Sequence, residues 1–381
     1  MHAAIVGGRL QGLEACYLAR KAGWRTLLID KALHTPAYHI CDRFLQLDMR
    51  RWKGGLPDLQ GLDVIIPAVE DRQALEAVAA MGEALGIPCI LDRKAYFVSS
   101  SKSRSYAMLQ DVGVPIPQQW PECGFPVIIK PDGESGSKHV QIHGHMSQEL
   151  KSKLDGGSWV AEEYIPGSLH SIEVIGVPGD YEAIQVTDLL LDQDLDCKRV
   201  LAPSRLDGWL TGRFREQALR IAEAVGLHGV MDVEAILHGD ELITIEIDAR
   251  LPSQTPTAVY WSSQCNILER FTSILLGEAR EPLDMSRSRH VVYEHIHVRK
   301  GSLAFRGEGC IARAASLRLV VGFYGADEAI TNAQASPDDW VATLIFAGSS
   351  FAEVQSKRSR CFGQIRDAFG LEPGVPSSVY V

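Results

Sequence analysis

The chain has 381 residues, 46% of them apolar and 23% charged, with a formal net charge of −10. That length exceeds one compact core and predicts two or three lobes, and the negative charge argues against nucleic acid or an anionic membrane as main partner. No apolar run approaches a bilayer span and MHAAIVGG opens directly on a strand, so a cytoplasmic protein is expected; eight scattered cysteines without a CxxC pair suit reduced thiols.

In chain order, AAIVGG reads as a short buried strand and LQGLEACYLARKAG as an amphipathic helix ended by Gly23. WRTLLIDK, LDVIIPAVE and IPCILD read as further strands, with a helix from about Asp71 to Leu85 between the last two. Alternating strand and helix predicts a parallel sheet covered on both faces, ending near Tyr96. The serine-rich SSSKSRS starts a helix that Gly113 stops, with Pro115 beyond. FPVIIKP, HVQI and Trp159–Tyr164 follow as strands, and SIEVIGV and EAIQVTDLLL suggest an antiparallel sheet. TGRFREQALRIAEAVG has a helical apolar period. After about Glu281 the pattern is α+β, with strands near Val291–His297 and Trp340–Gly348 and a closing helix near Ala352–Phe369.

Three segments carry chemistry. GGRLQG places Gly7, Gly8 and Gly12 at a helix start, with Asp30 ending the next strand where a ribose-binding acid would lie. The spacing departs from G-x-G-x-x-G, so nicotinamide binding is the lesser reading and a tight strand-to-helix turn the plainer one. Lys130 ends a strand before the loop PDGESGSK, where Ser135, Gly136 and Ser137 offer N–H groups to phosphates; a simple hairpin connection is the alternative. MDVEAIL and ELITIEID form a hairpin about HGD. A three-residue loop there faces Leu237 with Glu241 and Glu234 with Thr244. The period of two then puts Glu234, Glu246, Asp248 and Arg250 on one face and buries Ile243, Ile245 and Ile247 on the other. Three carboxylates on one face suit magnesium beside a nucleotide's phosphates, against the alternative of a solvated acidic face.

Order and spacing together, with Lys102 before a helix ending in GVP, VIIKP with its Gly/Ser loop, EEYIPG, and VEA ahead of IEIDAR, resemble the ATP-grasp enzymes. GGRLQGLEACYLARKAG, SSQCNILE, GVMDVEAI and IEIDARLPSQTP are closer still to the ligases of pyrrolysine biosynthesis, and Asp248 departs from the wider family's usual asparagine. The resemblance implies an α/β (α+β) ATP-grasp fold with a Rossmann-like pre-ATP-grasp domain over 1–98, a small nucleotide-covering subdomain over 99–166, and a large subdomain with the metal site over 167–381. It implies ATP and two Mg2+ ions, and a carboxylate activated as an acyl phosphate for attack by an amine. Lys102 and Lys130 match the phosphate lysines. Glu162, with Glu163, Tyr164 and Ile165, matches the adenine contacts, and Glu173 a ribose contact. Glu234, Glu246 and Asp248 match the metal set. Arg250 is placed to steady the acyl phosphate, and Arg199, with Lys198 as alternative, fits the basic position over the γ-phosphate. Glu134 is expected to be solvated.

The implied partners are small molecules, 3-methylornithine and L-lysine, on a monomer or homodimer. For these the candidates are Leu10, Gln11, Glu14, Glu70, Asp196, Asp232, Ser253 and Thr255, the acids also having plain readings as surface, loop or strand-face residues. His295 is expected to be structural. The rivals are another ATP-grasp amino-acid or purine-pathway ligase, a nicotinamide oxidoreductase, and a silent nucleotide-binding module.

Overall fold

The computed structural model describes residues 1–54, 59–134, 136–137, 139–286, 288–336 and 338–371. At the N-terminus β1 (His2–Val6), α1 (Leu10–Lys21), β2 (Arg25–Asp30), β3 (Arg43–Gln46), β4 (Val64–Pro67) and α2 (Arg72–Leu85) build a parallel sheet in the order β3-β2-β1-β4. Alternation along each strand buries both faces: Ala3, Ile5 and Leu28 join the core under α1, while Ala4, Val6 and Leu27 join the core under α2. IPCILD contributes a single bridge, Cys89 to Ile65, rather than a strand. Asp92 ends it by accepting the N–H groups of Lys94 and Ala95, which starts α3 (Arg93–Ser99).

The glycine turn is filled by its own chain. A Cβ on Gly12 would lie 1.8 Å from the Gly7 carbonyl oxygen, and one on Gly8 would lie 2.2 Å from Thr35 Oγ1. Asp30 Oδ2 accepts the Gly8 N–H at 2.8 Å, so its carboxylate holds the turn instead of a ribose. Such close helix-to-strand packing explains the glycines without a dinucleotide.

Beyond α4 (Lys102–Asp111), β5 (Val127–Pro131), β6 (Gln141–His143), α5 (Gln148–Asp155) and β7 (Trp159–Glu163) form a small antiparallel sheet, β6-β5-β7, over Leu150 of α5. Helices α3 and α4 pack elsewhere: Ala95, Tyr106 and Leu109 share the core behind the large sheet.

That large sheet is built from β8 (Ser168–Val177), β9 (Asp180–Leu191), β10 (Cys197–Ala202), β11 (Gly229–His238), β12 (Glu241–Asp248), β13 (His290–Arg299), β14 (Ser302–Phe305), β15 (Arg318–Val321), β16 (Glu328–Thr331) and β17 (Asp339–Gly348). Its order among the described residues is β12-β11-β8-β9-β10-β13-β17-β16-β15, with β14 extending β13. Between these strands lie α6 (Gly208–Val225), α7 (Thr255–Ser263), α8 (Ile267–Leu275) and the single turn α9 (Gly309–Ala312), and α10 (Phe351–Phe369) closes the fold. α6 and α10 cover the back. On the front, α7 and α8 pack with α1 in one continuous core that joins the N-terminal sheet to the large one.

The β11–β12 hairpin differs from the expected register. His238 pairs with Glu241 across the two-residue turn Gly239–Asp240, Ala235 pairs with Thr244, and Glu234 pairs with Glu246. One extra residue, Ile245, is therefore bulged out of the ladder, and Tyr106 Oη takes its carbonyl at 2.9 Å. The bulge resets the alternation. Leu242, Ile247 and Ala249 face α6, whereas Ile245, Glu246 and Asp248 turn together to the front. Ile245 thus lines the cleft instead of being buried behind it.

Candidate active site

The front of the sheet, the small sheet and the loop before α7 enclose a cleft of about 280 Å3. Its floor is graded by register. Ile236, Leu169, Leu189 and Val200 supply an apolar stretch. Beside it runs the row Glu246–Glu234–Ser171, and next the row Asp248–Asp232–Glu173. Cross-strand pairing at alternate positions is what brings five acids from three strands onto one face.

The consequences are electrostatic. Burial pushes Glu234 well above the usual carboxylate range, with repulsion from Asp232 and Glu246 adding and Lys130 opposing. Burial also takes Asp232 to about 6, against the hydroxyl of Ser171, which donates to it. Asp248 rises to about 7 for the same first reason, although its carboxylate sits 2.6 Å from the Arg250 guanidinium.

Two lysines face this floor. Lys102 Nζ lies 3.3 Å from Glu246 and donates at 2.7 Å to the carbonyl of Glu134, tying the Gly/Ser loop to the acid row. Glu134 is half-exposed and its carboxylate pairs with His139, at 2.9 Å. Lys130 Nζ lies 2.6 Å from Glu162. Burial disfavours its charge, yet Glu162 and the floor acids hold it ionised. Gly136 and Ser137 line the cleft, and Ser135 lies outside the described residues.

Several expected roles need correction. Glu162 is 1% exposed and turns Oε1 onto Lys130, so the lysine takes one of the two oxygens expected to meet a ring edge. The adjoining main chain is partly used as well: Glu163 and Tyr164 donate to Gln118 and Pro126 at 2.9 and 3.1 Å. Glu173 does not reach the cleft; it is fully buried beside Asp232, which removes the ribose reading, and burial raises it to about 8. Arg199 leaves the site altogether. It points through the back of β10 to Glu294, 2.8 Å away, which Arg358 also binds, because a register shift between Cys197 and Arg199 gives the cleft to both Cys197 and Val200. Leu10 packs into the core beneath α1. Glu14 accepts the N–H groups of Thr257 and Gln254 at 2.6 and 3.3 Å, so it caps α7 and is not open to substrate.

The remaining candidates line the cleft or lie against a residue that does. Arg250 bridges Asp248 and Glu70, the latter at 3.0 Å, and the side-chain amide of Gln11 lies against the same guanidinium. Asp196, Asp232, Ser253 and Thr255 all line the cavity. Sequence reasoning missed Glu308, which also lines it and accepts from Ser253 Oγ at 2.6 Å and Gln254 Nε2 at 2.7 Å. Its segment, RGEGC, carries no motif that would have singled it out. His295 is buried and neutral, pushed down to about 3 by burial, and it bonds Gln254 and Thr343.

Among the described residues no three His, Cys, Asp or Glu side chains converge on one point. Asp248 is drawn to Arg250, so the expected three-carboxylate set reduces to the pair Glu234 and Glu246. That pair still fits a hard divalent ion. Its donors are all oxygen, they are negative in excess of the nearby lysines, and phosphate oxygens and water ordinarily complete a magnesium shell.

Residues 99–254 match the family model of the ATP-grasp domain. Over 96% of its length the chain is 33% identical to the 3-methyl-D-ornithine–L-lysine ligase of Methanosarcina mazei, covering 96% of that protein. By structure it resembles a biotin carboxylase of Campylobacter jejuni (TM-score 0.72, 16% identity, 95% and 91% of the two chains covered). It also resembles the ADP complex of N5-carboxyaminoimidazole synthetase from Staphylococcus aureus (0.68, 14%, 96% and 96%). With the acid rows and both lysines in one cleft, and with likeness to the ornithine ligase along almost its whole length, the chain belongs to the ATP-grasp carboxylate–amine ligases, in the family of the 3-methyl-D-ornithine–L-lysine ligases.

Proposed function

We propose that this cytoplasmic enzyme joins the carboxylate of 3-methyl-D-ornithine to the ε-amine of L-lysine at the expense of ATP. The observation that carries the reading is the meeting of Lys102, Lys130, Glu234 and Glu246 in one cleft of a chain 33% identical to such a ligase. The N-terminal domain (1–98) is taken as the substrate side, 99–166 as the nucleotide cover and 167–381 as the metal-bearing body.

ATP lies with its ring on the apolar floor near Ile236 and Leu169, and Ile165 supplies the main-chain donor to the ring edge. Lys102 and Lys130 hold phosphate oxygens, with Gly136 and Ser137 over them. Glu234 and Glu246 would hold magnesium, as two ions, and the metal supplies neutralisation of charge on the transferring γ-phosphoryl group. The ornithine carboxylate oxygen attacks that phosphorus and ADP leaves, giving an acyl phosphate. Lysine's amine then attacks the acyl carbon, phosphate departs with the C–O bond electrons, and the nitrogen loses a proton. Arg250 lies where it can steady the anionic oxygen of that tetrahedral stage, a contact of a kind whose removal costs about 3 kcal/mol of barrier. Glu70, paired with Arg250 at the cleft's mouth, is the candidate for an ornithine ammonium. At pH 7 only about one lysine amine in a thousand is neutral, so the site must favour proton loss as attack proceeds.

The test is a screen of amino-acid pairs with MgATP, read by mass spectrometry. Methylornithine plus lysine is expected to give one conjugate lighter than the sum by a water, with stoichiometric ADP. A different productive pair would move the enzyme to another ATP-grasp amino-acid ligase.

A further inference from the structure

Glu308 stands apart from the acids already given work. It enters from the loop after β14, beyond the segment that matches the ATP-grasp domain, and yet its carboxylate lines the cleft. The position is built. Ser253 Oγ and Gln254 Nε2 both donate to Oε2, at 2.6 and 2.7 Å. Gln254 is fixed in turn by His295, 3.0 Å from its amide oxygen, and His295 by Thr343, 2.8 Å from Nδ1. Since an amide oxygen can only accept, His295 donates from Nε2, and its neutral ring then accepts the threonine hydroxyl at Nδ1. Gln254 holds this arrangement with a backbone φ of +73°, a left-handed conformation that few non-glycine residues adopt.

A chain of four side chains therefore aims one carboxylate into the cavity and occupies its Oε2 from behind. The other oxygen lies toward the Gly/Ser loop: a Cβ on Gly136 would be 3.7 Å from Oε1. Among the described residues Glu308 has no ion pair within reach, and its charged neighbours include acids, Asp196 and Glu14. Arg250 favours its ionised form, but it is already bound to Asp248 and Glu70. A pre-oriented anion of this kind lacks a cationic partner.

From this geometry we infer that Glu308 is the counter-ion that docks the incoming amine in its ammonium form, beside the loop that covers the phosphates. The inference rests on the ligase reading above. An amine that is to attack an acyl phosphate must end near that loop, whereas the other ammonium groups of the two amino acids lie at a distance from the reacting carbon. Asp196, whose Oδ2 is held by the Gly309 N–H at 2.9 Å, lies beside the same segment and adds negative potential. The Ser253 and Gln254 contacts give LPSQTP a role in placing the nucleophile rather than a substrate carboxylate.

The experiment compares two nucleophiles on the same acyl phosphate. Hydroxylamine is neutral at pH 7 and traps it as a hydroxamate without needing a counter-ion; lysine arrives as an ammonium. Glu308→Gln suits the test, because the amide oxygen can still accept from Ser253 and Gln254. Wild-type enzyme with MgATP and the ornithine substrate gives both products; if it gives no hydroxamate, the ligase reading itself has failed. In Glu308→Gln the ratio of lysine conjugate to hydroxamate is expected to fall about tenfold or more, the loss expected for a charged hydrogen bond, through a raised KM for lysine. Glu308→Asp should recover part of it. An unchanged ratio in Glu308→Gln, or equal loss of both products with a raised magnesium requirement, overturns the assignment.

Discussion

The carboxylate of Glu14, in the middle of α1, lies 2.6 Å from the main-chain nitrogen of Thr257 and so caps a helix more than two hundred residues away in sequence. Gln254, at the N-cap position of α7, has no side-chain cap of its own, and Glu14 takes its N–H as well. One acid thereby pins the N-terminal domain to the loop that carries Ser253 and Gln254. Removing it leaves buried N–H groups without acceptors, so Glu14→Ala is expected to lower unfolding free energy by about 1–3 kcal/mol, read by urea denaturation.

The same residue gives a pH signature. Burial raises Glu14 from the ordinary carboxylate value to about 7, with the Thr257 and Gln254 contacts opposing and Glu308 adding. An acid with a raised folded-state pKa binds more protons folded than unfolded, so its contribution is fully present below about pH 4.5 and is lost as pH rises to about 7. In ligand-free enzyme with chelator, melting temperature should fall over that window, and Glu14→Gln should flatten the fall. A wild-type profile that instead rises through the window would contradict the assignment.

Glu246→Gln should cut turnover by about a hundredfold or more while leaving the melting temperature of the ligand-free enzyme nearly unchanged, since the side chain is partly exposed and pairs with Lys102 at 3.3 Å. Dependence of ADP formation on magnesium concentration should shift to higher values in parallel. Near-normal turnover would remove Glu246 from the metal role.

Arg199 separates a structural cation from a catalytic one. Glu294 is fully buried between Arg199 and Arg358, so Arg199→Met is expected to cost about 3 kcal/mol or more by breaking a buried ion network. Its kcat per folded molecule should stay within about twofold of wild type. A selective kcat loss at unchanged stability would restore the arginine to the reaction.

Glu70→Ala should raise the concentration of ornithine substrate needed for half-maximal rate more than that of ATP, because Glu70 meets Arg250 at the mouth and not the phosphate lysines. Steady-state titration of each substrate decides it; matched shifts would take Glu70 out of the substrate pocket.

Much of the fold could be read from residue patterns. The parallel N-terminal sheet, α4 with its Ser101 cap and the long closing helix follow from alternation, caps and period, because local rules and tertiary packing agree there. Lys102, Lys130, Glu234 and Glu246, which the structure brings into one cleft, could be picked out because Lys102 opens a capped helix and the other three lie on strands. What escaped depended on partners distant in sequence. Nothing near Glu14 announces that it faces Thr257, and nothing near Arg199 announces Glu294; the expected catalytic arginine failed because a period of two assigns faces but not which face fronts the cleft. The shift at Ile245 was hidden because an apolar residue at a bulge looks like any other strand isoleucine. Glu308 belongs to a loop of no recognisable pattern, held by side chains from β13 and the turn before α7.

That bulge also decouples two jobs within one strand. Before Ile245 the even positions Leu242 and Thr244 face α6; after it the odd positions Ile247 and Ala249 do, and the even ones front the cleft. Absorbing Ile245 into a regular ladder, with no residue removed, would shift the alternation by one and turn Glu246 and Asp248 into the hydrocarbon behind the sheet. In this sequence a dry interior and a charged work surface on neighbouring positions of β12 thus depend on Ile245 staying outside the ladder, where its carbonyl accepts the Tyr106 hydroxyl.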